Sequence, residues 1–222
     1  MKLPISARLL ACCNYVNQGD RIADVGCDHG YLSIHLLTNG IVYHAIASDV
    51  NQQPLLSAVR NAEKYGVRDK MEFYLSDGVR NIPRDFDCMI CAGMGADTMI
   101  SILEAAPWLK DPKYRLVLQC QSRRPELRRW LGDAGYTIRR EDLVRDGKFI
   151  YTVMEVIYAP GNLLTAAECY ISPALLESNS SLLPEYCARV IHGLRLTVDG
   201  LARTNDPRLM EYQSLLNQLE TL

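Results

Sequence analysis

The amino-acid sequence predicts an α/β fold built on a mainly parallel β-sheet, and three observations support this. A glycine-rich turn, residues 24–30, joins a short apolar strand to a helix. Further apolar strands alternate with helical segments as far as residue 134, a pattern typical of a parallel sheet. Two final strand segments flank Asp146 and Gly147, a strong hairpin signal. Five strand–helix units and a terminal hairpin predict a Rossmann-like arrangement.

Each predicted element has a local signal. Apolar side chains at helical spacing mark the helices, and short apolar or alternating runs mark the strands. Ser6 is placed to cap the first helix, and Gly66 and Gly135 are placed to end two later ones. The predicted segments are helix 6–16, strand Arg21–Val25, helix Tyr31–Thr38, strand His44–Asp49, helix 51–65, strand Met71–Leu75, strand 86–92, helix 98–106, strand 115–118, helix 125–134, strand 136–144 and strand Phe149–Tyr158.

The pattern changes after Pro160 and Gly161, which predicts two domains with bounds 1–160 and 161–222. Thr165 and Glu168 fit a capping box. Apolar residues then recur at helical spacing over residues 187–201, and again after a restart at residues 206–207. We therefore expect the second domain to be an antiparallel helical hairpin.

The composition is that of an ordinary globular protein, with 48% hydrophobic and 23% charged residues among 222. No run of about 18 apolar residues is present, so we expect no membrane span. The N-terminal stretch is too polar for a signal peptide, which predicts a cytoplasmic protein with reduced thiols. Cys88 and Cys91 form a C-x-x-C inside an apolar strand without a second pair, so buried thiols are favoured and no metal site is predicted.

The charge is unevenly distributed. The net charge is −2, yet residues 110–150 hold eleven Lys and Arg against six Asp and Glu. A positive face on an otherwise acidic molecule is able to hold a polyanion such as RNA. A solvated helix face with ordinary surface arginines is an equally good interpretation of the same charges.

The turn between the first strand and helix carries the main chemical signal. Gly26 permits a tight turn and close approach of a ligand, and the following helix directs free N–H groups toward an anion such as a carboxylate. The spacing is G-x-x-x-G, with Asp24 two residues earlier, rather than the G-x-G-x-x-G of dinucleotide sites. This spacing is typical of loops that bind S-adenosylmethionine. A plain strand–turn–helix junction is the alternative.

Polar or glycine residues stand at the carboxyl ends of all five predicted parallel strands, where ligands bind in such sheets. Asp49 follows the glycine loop at the interval of a ribose-binding carboxylate, although it is also placed to cap the next helix. Asp77 and Gly78 are placed to border an adenine ring, and an Asp-Gly turn explains them equally. Gly93 and Gln119 complete the set.

With these motifs in place, the chain resembles the TrmK family, the bacterial tRNA (adenine(22)-N1)-methyltransferases. The resemblance covers about residues 3–158. Two departures from the family pattern are Cys120-Gln121 after strand five and Ala96 in place of a third glycine. The stretches that carry the resemblance are residues 5–9, 24–32, 76–78, 92–95, 118–119, 128–131 and 146–148.

The resemblance implies a class I methyltransferase that depends on S-adenosylmethionine, with a coiled-coil-like helical extension. It implies tRNA as the partner, and we expect a monomer without metal or membrane contact. The expected cofactor-binding residues are Asp24, Gly26, Asp28, His29, Gly30, Asp49, Val50, Asp77, Gly78, Ala92, Gly93 and Met94. The expected RNA-binding residues are Arg8, Arg123, Arg124, Arg128, Arg129 and Lys148, although the position of Arg8 away from the apolar stripe of its helix favours an ordinary solvent-facing arginine.

Adenine N1 carries a free lone pair and needs no deprotonation, so catalysis should rest on alignment and on charge stabilisation. The expected catalytic residues are Asp28, Tyr31, Gly93 and Met94. Tyr31 is placed either to stack on the target base or to pack at the start of its helix. His29 is placed either to shuttle a proton or to form a hydrogen bond with the backbone. A methyltransferase of small molecules or proteins and a non-catalytic cofactor-binding module remain alternatives. A nicotinamide-dependent oxidoreductase is disfavoured by the loop spacing.

Overall fold

The computed structural model describes residues 3–161 and 163–221. Helices and strands alternate through the first part of the chain, and helices alone make up the last part. The elements in order are α1 (Ala7–Cys13), β1 (Arg21–Val25), α2 (Tyr31–Thr38), β2 (His44–Asp49), α3 (Gln52–Lys64), β3 (Met71–Leu75), β4 (Cys88–Met94), α4 (Ala96–Glu104), β5 (Arg115–Cys120), α5 (Arg124–Asp133), β6 (Tyr136–Asp146), β7 (Phe149–Tyr158), α6 (Ala166–Tyr170), α7 (Pro173–Glu177), α8 (Leu183–Thr204) and α9 (Leu209–Glu220).

The seven strands form one sheet in the order β3-β2-β1-β4-β5-β7-β6. Strands β1 to β5 pair in parallel, whereas β7 pairs antiparallel with both β5 and β6. The predicted α/β, Rossmann-like fold is therefore confirmed. The chain order reverses between β1 and β4, and in open sheets of this kind the crevice at such a switch point binds the ligand.

Most predicted boundaries agree with the structure, and the differences have local causes. Helix α1 ends at Cys13 rather than residue 16, because Asn14 caps it. Strand β4 is shifted two residues later than predicted. It continues through Gly93, where the pairing with β5 is irregular and φ is +89°. A bulge of this kind redirects the backbone at the sheet edge.

The sheet is covered by apolar side chains on both faces. One cluster gathers β1, β4 and β5 side chains with α4 and α5, and includes the fully buried Met89, Leu116 and Leu118. The other gathers α1, α2 and α3 against the opposite face, with Ile34 and Ile90 at its centre. Burial on this scale is the main source of the fold's stability, and it fixes the strand ends that carry the site.

The C-terminal helices form a third apolar cluster that includes Leu143 and Ile150 from the β6–β7 hairpin. The predicted capping box of Thr165 and Glu168 is present at the start of α6. Only a short turn separates α8, which ends at Thr204, from α9, which begins at Leu209. Arg195 of α8 pairs with Glu220 at the far end of α9 (2.7 Å). That pairing requires the two helices to run antiparallel, as predicted. The division at residues 160 and 161 stays a prediction.

In the part of the chain that the structure describes, no helix combines the length and apolar character needed to cross a membrane.

Candidate functional site

A cavity of about 390 Å³ opens at the carboxyl ends of β1, β2, β3 and β4. This volume lies in the range of small-molecule sites. Eleven of the twelve predicted cofactor residues line it: Asp24, Gly26, Asp28, His29, Asp49, Val50, Asp77, Gly78, Ala92, Gly93 and Met94. The predicted strand-end residues therefore lie together around one cavity.

The glycine loop is held in left-handed backbone conformations. Gly26, Asp28 and Gly30 have φ values of +71°, +50° and +72°. The Gly26 and Cys27 amides both donate to the Ser48 carbonyl (2.8 and 2.9 Å), which ties the loop to β2. A side chain at Gly26 would overlap the Met94 methyl group. The positive φ therefore favours glycine there, and any side chain would also displace the Met94 methyl group.

Gly30 is the one predicted cofactor residue that is absent from the cavity lining within the described chain. It caps the N-terminus of α2, and a Cβ there would lie 3.0 Å from the Ala58 Cβ of α3. Its absence of a side chain lets α2 and α3 pack closely, which positions the loop. Its effect on a ligand is thus indirect.

Asp24 lies at the base of the cavity and is 4% exposed. Burial raises the pKa of its carboxyl to about 6, although hydrogen bonds from Ser33 oppose the shift. The Ser33 hydroxyl donates to Asp24 Oδ2 (2.8 Å), and the Ser33 backbone N–H bonds the same carboxyl. The first turn of α2 therefore already holds a carboxylate of the protein itself. The expectation that this turn is free for an anion of a ligand has to be corrected accordingly.

Asp49 braces two parts of the cavity wall. Its Oδ2 accepts from the Asp28 amide (3.2 Å), and its Oδ1 accepts from the Asn51 amide (2.8 Å) at the start of α3. Asp49 thus lies where it can serve both predicted roles: it orders the start of α3, as a helix cap does, and it lines the cavity, where a ribose could bind. Each carboxylate oxygen has further lone pairs, so two vicinal hydroxyls can still bind.

Negative charge dominates this cavity. Four carboxylates line it, those of Asp24, Asp28, Asp49 and Asp77. Arg8 is the single lysine or arginine among its described lining residues. Such a site favours a cation and disfavours a pyrophosphate.

Arg8 points into the cavity, so the prediction that it faces solvent was wrong. Its Nη1 donates to Gln119 Oε1 (2.7 Å), and the Gln119 side chain is fully buried. A Cβ on Gly93 would lie 3.0 Å from the same nitrogen. The guanidinium therefore packs against the bulge of β4, and the missing side chain at Gly93 makes room for it.

The far end of the cavity is flat and partly apolar. Val50 is 63% exposed there, and Ile102 of α4 lies on the lining as well. A Cβ on Gly78 would come within 2.9 Å of Ile102 Cγ1, so Gly78 lets Ile102 pack closely against this part of the lining. Asp77 is exposed at the rim, and Arg80 Nε lies 3.4 Å from its Oδ2.

Four residues with predicted catalytic or proton-transfer roles, Asp28, His29, Tyr31 and Met94, line the cavity. The rings of His29 and Tyr31 are 5.8 Å apart, and His29 Nε2 lies 3.6 Å from Asp28 Oδ1. The Cys91 thiol donates to the Met94 sulfur (3.3 Å), which holds the Met94 side chain over the glycine loop. No nucleophile with an adjacent base is brought together by these contacts.

Arg128 is fully buried, so the prediction that it contacts RNA was wrong. Its Nη2 and Nε donate to Glu141 (2.6 and 3.2 Å), and both side chains are 0% exposed. Its Nη1 donates to the carbonyls of Cys169 and Tyr170 (2.7 and 3.2 Å). The guanidinium joins α5, β6 and α6, and it has no access to a ligand at the surface.

The other predicted RNA-binding cations lie outside the cofactor cavity. Arg123 is exposed and paired with Asp97 (2.8 Å) and Glu126 (3.3 Å). Arg129 is exposed on the far side of α5, in a cleft with α9. Lys148 is exposed at the hairpin turn, and Arg124 lies beside Tyr186 of α8.

The described residues contain no group of three or more His, Cys, Asp or Glu placed to hold a metal ion. Burial raises the pKa of the Cys88 and Cys91 thiols to about 12. Both are thus held in the neutral thiol form, which is a poor nucleophile.

The sequence did not reveal Thr98 and Ile102, which come from α4 and line the cavity. The helix was predicted, but which of its faces meets the cavity depends on how it packs on the sheet. The only available signal was Thr98 itself, a polar residue at the start of an apolar helix.

A methyltransferase domain model matches residues 5–154. The tRNA (adenine(22)-N(1))-methyltransferase of Bacillus subtilis is 32% identical over 69% of this chain, and the match spans 65% of that relative's length. A crystal structure of a Rossmann-superfamily protein from Streptococcus agalactiae is 29% identical, with a TM-score of 0.89 and coverage of 100% of this chain and 98% of that one. The structure of M. capricolum TrmK in complex with S-adenosyl-homocysteine is 25% identical, with a TM-score of 0.81 and coverage of 98% and 96%.

Proposed function

The chain belongs to the TrmK family of methyltransferases, and on that premise we propose that it methylates N1 of adenine 22 in tRNA with S-adenosylmethionine as the methyl donor. The observation that carries the choice of cofactor is the acidic cavity. Its four carboxylates suit a molecule with a sulfonium and an ammonium group, whereas they would repel the pyrophosphate of a nicotinamide dinucleotide.

The residues of the cavity fit the parts of this cofactor. Asp24 and the Gly26 turn lie at the base, where they suit the charged amino-acid end. Asp49 retains acceptor capacity for the two ribose hydroxyls. Val50 and Ile102 provide apolar surface for the adenine ring, with Asp77 at the rim within reach of its amino group. When bound, S-adenosylmethionine supplies an electrophilic methyl group.

The chain itself aligns the acceptor and stabilises charge. Adenine N1 attacks with a free lone pair, so no general base is required, and the product base is cationic. Asp28 and the backbone carbonyls near Gly93 lie where they stabilise that charge. Tyr31 and Met94 offer flat and apolar surface to a base that has left its stack. Arg8, fixed by Gln119, forms the wall beside Gly93.

We propose a cytoplasmic monomer composed of a methyltransferase domain, residues 1–160, and a helical domain, residues 161–222. The eight cysteines are all unpaired, as in a reducing compartment. The substrate is tRNA, reached through the cationic side chains around α5 and the hairpin.

The test is methyl transfer from labelled S-adenosylmethionine to an unmodified tRNA transcript, followed by mapping of the modified base. We expect one methyl group on N1 of adenine 22, and none on a transcript with guanine at that position. Calorimetry with S-adenosylmethionine and with NAD tests the cofactor separately. Cofactor binding without transfer to any tRNA would overturn the proposal and indicate a non-catalytic module or another acceptor.

A further inference from the structure

A second concave surface lies between the β6–β7 hairpin and α8, with a volume of about 260 Å³. Its floor and walls are aromatic and basic. Phe149 and Tyr151 come from β7, Tyr186 and Arg189 from α8, and Arg124 from the start of α5. We call these five residues the stacking groove.

The stacking groove adjoins the cofactor cavity near Gly93 and Arg8. Gln121, which lies between the two, has its Nε2 3.6 Å from the position of a Cβ on Gly93. The Arg8 guanidinium lies 6.0 Å from the centroid of the Tyr151 ring. Gly93 and Arg8 both line the cavity. The stacking groove thus opens beside the bulge of β4, away from Asp77 and the adenine end of the cofactor.

Two aromatic rings in the stacking groove are partly exposed and suit a nucleobase. Phe149 is 51% exposed, which is unusual for a ring of its size on a sheet strand. Tyr151 is partly exposed beside it, and the two ring centroids are 6.0 Å apart. Aromatic rings accept any base by stacking, because every base has a π-face.

The charge of the stacking groove is positive. Arg124 has no carboxylate partner within the described chain, and its guanidinium lies 5.5 Å from the Tyr186 ring centroid. Arg189 donates to the Lys148 carbonyl (3.1 Å) and pairs with Glu185 (2.7 Å). Because Glu185 also pairs with Arg145, its single negative charge is shared by two arginines.

We propose that the stacking groove holds an unpaired nucleotide of the substrate RNA next to the target adenine, with its base on Tyr151 and Phe149 and its phosphate against Arg124. The inference rests on the proposed function and deepens it. A single extruded nucleotide fits a recess of this size and chemistry, whereas a duplex offers no free base face. Stacking the neighbour beside Gly93 holds the target adenine unstacked at the methyl-transfer end of the cavity.

The test pairs Tyr151→Leu with Tyr151→Phe, and Arg124→Gln with the control Arg60→Gln on α3. Tyr151→Leu should weaken tRNA binding about 5- to 100-fold, whereas Tyr151→Phe keeps the ring and should stay within about twofold of wild type. Arg124→Gln should lower the slope of log K against log salt by about 0.7 to 0.9, the value for one lost phosphate contact. Arg60→Gln should change neither quantity. The affinity for S-adenosylmethionine should be unchanged in all four variants.

Transcripts with an abasic site immediately 5′ or 3′ of adenine 22 identify the nucleotide. One of the two should raise the KM of the wild-type enzyme, and the same transcript should cause no further loss with Tyr151→Leu. The inference would be overturned if each abasic transcript raised KM by the same factor in Tyr151→Leu as in wild type. It would also be overturned if a folded Tyr151→Leu protein had the wild-type KM for intact tRNA. If Tyr151→Leu does not fold, two measurements remain: the KM of the wild-type enzyme for the abasic transcripts, and the salt slope of tRNA binding in Arg124→Gln. If both equal the values for wild type with intact tRNA, the inference is overturned. Transfer of no methyl to tRNA by wild type would instead refute the proposed function.

Discussion

Replacing Arg128 by methionine should strongly destabilise the protein, although the residue lies outside the candidate site. Its guanidinium makes two hydrogen bonds to Glu141 and two to backbone carbonyls of Cys169 and Tyr170. Methionine fills much of the same volume but leaves the Glu141 carboxylate buried and without its cation. Breaking a buried pair from one side costs about 3–5 kcal/mol. That is about a fifth or more of the stability of a typical domain, and urea denaturation followed by circular dichroism measures it.

Two further variants distinguish the effect of breaking the buried ion pair on stability from the effect of removing any arginine from α5. Arg129→Met removes the exposed neighbour and should change the free energy of unfolding by no more than about 0.5 kcal/mol. Arg128→Met combined with Glu141→Leu removes both charges and should recover most of the loss. Arg128→Met should also leave the salt slope of tRNA binding unchanged, because a buried guanidinium meets no phosphate. A stable Arg128→Met protein with a reduced salt slope would refute the reasoning.

Three further changes test the cofactor cavity. Gly26→Ala places a side chain at φ +71°, where L residues are strained, and displaces the Met94 methyl group, so it should weaken binding of S-adenosylmethionine in calorimetry; Gly19→Ala, at φ +88° outside the cavity lining, should not. Asp49→Ala removes a charged acceptor and should weaken that binding about 10- to 100-fold. Burial raises the pKa of Asp24 from its ordinary value of 3.8 to about 6 in the folded state. The folded state therefore binds an extra proton between about pH 4 and 6, and stability falls as pH rises through that window. The loss amounts to about 3 kcal/mol at pH 7. Asp24→Asn should remove this fall in urea denaturation at pH 4 and pH 7, while weakening cofactor binding; a wild-type pH dependence in the variant would contradict the shifted pKa.

Local signals explain why the sheet and the cavity floor were predictable. Strands β1, β2, β3 and β7 match their predicted bounds because each is a short apolar or alternating run that ends at a turn signal. Parallel strands bring their carboxyl ends to one edge, so Asp49, Asp77 and Gly93 were placed together by topology alone.

Side-chain direction was not predictable where it depends on distant parts of the chain. The sequence pattern places Arg8 on the polar side of α1. In the structure its side chain lines the cavity, because it donates a hydrogen bond to Gln119, 111 residues later in the chain. Arg128 looks like half of a surface Arg-Arg pair, and nothing local indicates that Glu141 and Cys169 enclose it. Charge counted along a sequence therefore placed Arg128 on a basic surface wrongly, and the RNA-binding role of the other basic residues stays a prediction.

The buried pair also bears on how the two parts of the chain act together. Arg124 and Arg128 stand one turn apart on α5, with Arg124 beside Tyr186 of α8 and Arg128 bonded to the end of α6. A single helix thus contributes both a wall of the stacking groove and a contact to the C-terminal helices. Buried ion pairs contribute little net stability compared with apolar packing of the same volume, because desolvation offsets their attraction. We infer that the Arg128–Glu141 pair acts chiefly through geometry: its directional bonds set where the end of α6 lies relative to α5 and β6.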